Sequence, residues 1–464
     1  MKKILATITI CASMIGGSNA ALANNAELES RIKVLEERLA SQERAQKEFL
    51  EKFQAKYQQE FQAKYQENPQ INPQANPQIN PQANPQINPQ ANNQANPQEI
   101  NTQQQIPAPL LKAFKSAKII GRLHIDSRFH DESSASEYSY NDGIEIIRAR
   151  LGMQGKLSDN FSYKLENDFS RNESRLTDAY IAYDGIANTQ FKVGHFRQFF
   201  SLETLTSSND ITFLYRSIAS DESPPRAVGF GAQTHGENWQ ISAGIFGDSI
   251  ADSDREDDSA YSASIRASIA PINSNGKLIH FGLATSTSSK DRDKKSGESE
   301  EIDQENLYGA ELALGLDSLS LQGEYIINKT NYDNDALGGA ISTTGKSATY
   351  KSYYAQISYI LTGESRVYDY KTGTYEGVKI KKSVDEGGVG ALELAARFSE
   401  NDRNKRNQGE NFIGGKTQNI TLGVNWYLNQ NLRLMANYMT SRIDQKTSSN
   451  DKINSFLLRA QVNF

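Results

Sequence analysis

From about Lys118 to Phe464 the chain alternates apolar and polar residues with a period of two. Side chains on a strand point to opposite faces in turn, so this pattern predicts strands with one apolar and one polar surface. Around Ile420 the apolar set is Ile420, Leu422, Val424, Trp426 and Leu428, interleaved with Thr421, Gly423, Asn425 and Tyr427. Tyr353, Ala355, Ile357, Tyr359 and Leu361 form a second such set, and Trp239, Ile241, Ala243 and Ile245 a third. Leu319, Leu321, Tyr325 and Ile327 make another against Ser320, Gln322 and Glu324. Each stretch runs about ten residues, the length that crosses a bilayer at a tilt.

A mean hydropathy of −0.63 describes a polar chain. A transmembrane barrel has this average too, because only alternate residues meet lipid and the interior is wet. Short turns (Leu428-Asn-Gln-Asn-Leu432) and long polar stretches (residues 286–306 and 400–417) separate the strands. Roughly 20 to 22 residues per strand and connection predicts about 16 antiparallel strands, a size that leaves an aqueous lumen. A soluble sandwich or propeller competes, but charge lies deep within the strands and no blade-length repeat appears. The expected fold is therefore an all-β transmembrane barrel over residues 118–464.

Three different textures precede it. In residues 1–23, Lys2 and Lys3 lead a short apolar run that ends at Ala21-Leu22-Ala23, the pattern of a cleaved export signal. Cys11, the one cysteine, follows Ile10 where a lipidation site wants a small residue, so the mature chain is expected to lack thiol and disulfide chemistry. Residues 24–67 carry Leu28, Ile32, Leu35 and Leu39 at helical spacing, without Gly or Pro. So long a stripe predicts a coiled coil, with docking on the barrel or on a membrane surface as the alternative. Residues 68–117 begin with an Asn-Pro-Gln-Ile/Ala repeat, in which proline excludes helix and sheet. An extended spacer, roughly 90 Å at ~3.1 Å per residue, remains. It reads either as a tether or as a linker whose length drifts. The arm is expected in the periplasm, where the cell wall or another protein could be its partner.

At the other end, Phe456, Leu458, Ala460, Val462 and Phe464 alternate with polar or inward positions up to the last residue. A terminal aromatic on such a strand resembles the signal that the barrel-assembly machinery reads in outer-membrane proteins, which adds that machinery to outer-membrane lipid among the expected partners.

Several segments resemble the phosphate-selective porin O/P family of outer-membrane channels, a likeness covering most of residues 121–464. They are Gly121-Arg-Leu123, Ile147-Arg-Ala-Arg-Leu151, Asp178-Ala-Tyr-Ile-Ala-Tyr183, Val193-Gly-His-Phe196 through Thr206-Ser-Ser208, Tyr359-Ile-Leu-Thr-Gly-Glu-Ser-Arg366 and Leu422-Gly-Val-Asn-Trp-Tyr427. The resemblance implies a homotrimer of 16-stranded barrels in the outer membrane of a Gram-negative bacterium. It also implies a third loop, here about residues 197–226, that folds inward and narrows the pore.

An anion entering a pore exchanges water for protein donors, and the planar fork of arginine suits oxyanions. Arg148 and Arg150 share one face of their strand, opposite Ile147, Ala149, Leu151 and Met153, which are expected to meet lipid. The resemblance adds Arg122, Asp178 and Arg216 as lumenal candidates and matches Arg148 to one member of an arginine pair. It fails at three places. Ile147 holds the other place of that pair, and Thr204 and Asn209 stand where the family has third-loop lysines. Anions are therefore expected to bind weakly, and the arginines could equally serve as the solvated wall of a general pore. Acidic stretches at residues 248–258 and 299–305 should repel anions near the mouth, within a Debye length of ~10 Å.

Fifty basic and 56 acidic residues, a formal −6, argue against nucleic-acid binding. The five histidines have no metal-ligand spacing, and no phosphate loop or Gly-x-Ser-x-Gly elbow occurs, so neither cofactor, metal nor catalytic residue is expected. A barrel phospholipase would need a Ser/His pair at its rim. The expected function is passive diffusion of small hydrophilic solutes, leaning toward anions such as phosphate. The alternative is a barrel anchor whose arm tethers the outer membrane.

Overall fold

The computed structural model describes residues 114–132, 142–170, 174–247, 261–274, 276–289, 302–332, 347–403, 415–445 and 451–464. The export signal, the coiled coil, nearly all of the spacer and the acidic stretch 248–258 lie outside them.

Sixteen antiparallel strands close into a barrel. In chain order they are β1 (Ser116–Glu132), β2 (Gly143–Lys156), β3 (Phe161–Asp168), β4 (Arg175–Ile186), β5 (Thr189–Arg197), β6 (Arg226–His235), β7 (Trp239–Phe246) and β8 (Tyr261–Ser274). Then follow β9 (Lys277–Ser289), β10 (Ile302–Leu316), β11 (Leu319–Tyr332), β12 (Ser347–Ile360), β15 (Ala391–Asp402), β16 (Gly415–Tyr427), β17 (Leu432–Gln445) and β18 (Asp451–Asn463). Two short strands, β13 (Arg366–Asp369) and β14 (Thr374–Val378), form a separate hairpin. The first strand begins at Ser116, inside the stretch read as spacer. Strands β9, β10, β15 and β16 likewise extend into the polar stretches read as loops.

The ring closes where β1 pairs with β18, and Gly121 and Phe464 exchange both backbone hydrogen bonds there, at 3.0 and 3.1 Å. Closure leaves no sheet edge, the condition for a β-structure to live in hydrocarbon. The alternation resolves as expected. Ile420, Leu422, Val424 and Trp426 face outward, as do Phe456 and Leu458, whereas Thr421, Asn425, Leu457 and Arg459 face inward and are buried. So continuous an apolar outer band would be a liability in water and fits a lipid contact.

Connections alternate in length. At one end they are tight, as at residues 187–188, 236–238, 317–318 and 428–431. At the other they are longer, and the longest described there is the third loop, residues 198–225, between β5 and β6. The exception is residues 361–390, a long connection at the turn end that carries the β13–β14 hairpin.

Both insertions fold into the lumen and fill it against β7 through β18. The third loop is held by the wall. Arg459 donates to Leu214 O at 2.7 Å, Arg433 to Ile211 O at 2.8 Å, and Arg397 pairs with Glu203 at 3.1 Å. Glu324 accepts from the Leu202 and Glu203 amides, at 3.0 and 2.7 Å, where a four-residue helical turn begins. The hairpin rests on Arg266, which is buried in a two-pronged pair with Glu311 (2.9 and 2.7 Å) and also donates to Thr372 O and Gly373 O. Gly373 sits at φ +66, and any side chain there would collide with Ser268 and Arg266. Most lumen-facing positions from β7 to β18 are consequently buried, and open space remains beside β1 to β6.

Candidate functional site: an arginine-rich slot beside β1 to β6

Two cavities, about 250 and 520 Å³, occupy that space. The smaller, inner one reaches the hairpin tip at Thr372 and Thr374, and the larger, outer one lies toward Ser170, Ser174 and Arg175 near the loop end. Arg148, Arg150, Arg197 and Arg226 line both, which places four guanidinium groups at their junction. The inner cavity is also lined by Arg122, Lys164, Lys192 and Arg216, against the single carboxylate of Asp178. All five sequence-predicted residues, Arg122, Arg148, Arg150, Asp178 and Arg216, thus come together in one place.

They do not play one part. Arg122 pairs with Glu166 at 3.0 Å and donates to Ser208 Oγ and Ser207 Oγ at 3.0 and 3.3 Å. Arg150 is held by Asp168 at 2.7 Å and Glu166 at 3.2 Å. Asp178 accepts from Lys164 and Arg226, each at 2.9 Å. Arg216 is engaged by the loop backbone: its Nε donates to Glu203 O at 2.9 Å, and its Nη2 to Thr206 O at 2.6 Å and Thr204 O at 3.4 Å. Burial pulls its guanidinium down to about 10, with Glu203 opposing and neighbouring arginines adding, so it remains charged at neutral pH.

Arg148 and Arg197 differ from these. Among the described residues Arg148 has no acidic partner and only a 3.4 Å contact with His124 Nδ1, and Arg197 makes no side-chain hydrogen bond or ion pair. Their donors are left for water or solute.

The two positions where lysine was expected are otherwise engaged. Thr204 is buried, with its amide on Ser201 Oγ (3.1 Å) and its hydroxyl on Ser223 Oγ (3.0 Å). Asn209 holds His124 Nε2 through Oδ1 at 3.2 Å and offers its carbonyl to Gln461 at 3.0 Å.

One expectation fails. The β1–β2 pairing slips between His124/Arg148 and Ile125/Ile146, so Ile147 is an unpaired extra residue. The bulge buries Ile147 against the outer cavity and hands the lipid-facing place to Ile146, which is 46% exposed. Lys164, Lys192, Arg197 and Arg226 were not singled out from sequence. Period two already marks Lys192, between Phe191 and the outward Val193, and Lys164, beside the outward Leu165.

The model of the family described as phosphate-selective porin O and P matches residues 118–464. Porin O of Pseudomonas aeruginosa is 27% identical over 401 residues, covering 75% of this chain and 88% of that protein. An uncharacterized protein of Caulobacter vibrioides is 26% identical over 347 residues, covering 70% and 68%. Among solved structures, the trimer form of OmpT, an outer membrane protein of Vibrio cholerae, superposes with a TM-score of 0.50 at 11% identity, covering 75% of this chain and 99% of that one. That likeness concerns the barrel fold.

Proposed function

The chain belongs to the phosphate-selective porin O and P family, and on that premise we propose that it is an outer-membrane channel whose eccentric slot passes small anions by diffusion. The family and the closed barrel point to a channel rather than an enzyme. The observation that carries the anion preference is the imbalance at the inner cavity, where the charged part of the lining is eight cationic side chains and one carboxylate. A water-filled slot lined by one sign of charge between low-dielectric walls concentrates the opposite ion and repels its own. Arg148 and Arg197, without carboxylate partners among the described residues, are the proposed donors to the passing anion, and Arg122 and Arg150 set the local field. Asp178 spaces Lys164 and Arg226 and tempers the charge. Phosphate is among the anions that fit guanidinium forks, although Thr204 and Asn209 offer no ammonium to retain it.

Ion substitution in planar bilayers tests this. Replacing chloride by gluconate should cut the conductance severely, while replacing potassium by Tris should change it little. The opposite pattern would defeat the proposal.

We propose as well an assembly state, a biogenesis signal and a role for the N-terminal segments. A homotrimer is supported by the trimer form of the Vibrio cholerae fold neighbour. Recognition of Phe464 by the assembly machinery is supported by its place at the end of the closing strand. The segments 24–67 and 68–117 are proposed as a periplasmic coiled coil and spacer that reach the cell wall or a periplasmic protein. Their helical stripe and proline repeat support this. Deleting residues 24–105 should leave conductance intact and reduce co-sedimentation with the wall; unchanged co-sedimentation would remove the tether.

A further inference from the structure

Tyr180, Leu205, Phe196 and Phe199 give the inner cavity an apolar stretch of wall, in the same lining as the guanidinium groups of Arg122, Arg148 and Arg150. Phe196 meets Tyr180 edge-on at 6.0 Å and Phe199 at 6.0 Å, and the two phenylalanines sit in one buried cluster with Ala227 and Phe246. Lys192 Nζ sits over the Tyr180 ring, 5.3 Å from its centroid. Tyr180 is therefore fixed by neighbours on two sides while its remaining surface lines the cavity. Leu205 is half-buried at the end of the four-residue helical turn, also facing the cavity.

A fully hydrated inorganic anion gains nothing from such a wall. A solute with a carboxylate at one end and an apolar body at the other gains twice. Its carboxylate meets a planar donor fork, and its body leaves water against an aromatic and a leucine side chain. We infer that the slot prefers carboxylates carrying an aromatic or aliphatic body over small hydrophilic anions of equal charge. The inference rests on the anion-channel reading above and narrows it to a solute class.

Benzoate and acetate share a charge and a carboxylate and differ in the body, so their comparison isolates the wall. Single-channel current carried by chloride at neutral pH would be titrated with each, and with inorganic phosphate. Benzoate should block at a concentration about fivefold lower than acetate or more, the worth of partly burying a ring. Tyr180→Ser should bring the two together while leaving the chloride-over-potassium preference unchanged. Should that barrel assemble poorly, Leu205→Ser, in the loop and outside the wall strands, carries the same expectation at about half the effect. Equal block by benzoate and acetate, or a benzoate preference untouched in both variants, would overturn the inference and leave the anion channel standing. A potassium-selective current would overturn both.

Discussion

Arg366 of the hairpin donates through Nη2 to the backbone carbonyl of Asp210 in the third loop, 2.5 Å away. One guanidinium thus joins a segment entering from the turn end to one entering from the loop end. The same side chain bonds Thr212 Oγ1, lies 3.6 Å from Glu393 on the wall and stacks over the Tyr375 ring at 4.7 Å. The hairpin therefore acts as a strut between the third loop and the barrel wall.

Arg366→Ala should loosen that strut. Breaking a buried, charged contact of this kind costs about 3–5 kcal/mol, mostly because Glu393 loses a partner. The expected outcome is a noisier and larger single-channel conductance, with thermal unfolding in detergent shifted to lower temperature. A quiet channel of unchanged conductance would show that the loop stands without the hairpin.

Asp178→Asn should strengthen the anion preference. The amide still accepts hydrogen bonds but no longer neutralises Lys164 and Arg226. One charge removed at close range in a watery slot is worth about 1 kcal/mol, roughly fivefold in relative permeability. A reversal potential that moves toward potassium would contradict the assignment.

Gly121 and Phe464 make a paired test of closure. A Cβ on Gly121 would fall within 2.3 Å of the Phe464 ring. Gly121→Val should slow barrel formation in refolding assays and lower its thermal stability. Adding Phe464→Ala should recover much of the loss, a coupling that independent sites would lack. An additive double variant would mean the ring does not occupy that space.

The barrel was legible in the sequence because lipid enforces an apolar residue at every second position. Ile420 to Trp426 and Phe456 to Leu458 obey that rule without exception. The same rule put Arg148 and Arg150 in the lumen, and it failed one residue away, at Ile147, because a bulge resets the alternation and leaves no mark in composition. The hairpin was not legible. Gly373 signals a turn, but the pair that holds it, Arg266 with Glu311, lies far along the chain on β8 and β10. Nor could sequence separate Arg148 from the neutralised Arg150, since the pairing of Arg150 with Glu166 and Asp168 on β3 depends on strand register.

Solute is proposed to pass an arginine junction in which Arg148 and Arg197 have no ionic partner among the described residues. The reversal potential across a KCl gradient tests it most directly, for the native protein beside the double variant Arg148→Ala/Arg197→Ala. A native potential close to that of chloride, shifting toward zero in the variant, is the predicted result. A potential on the potassium side that the two substitutions leave in place would contradict the account.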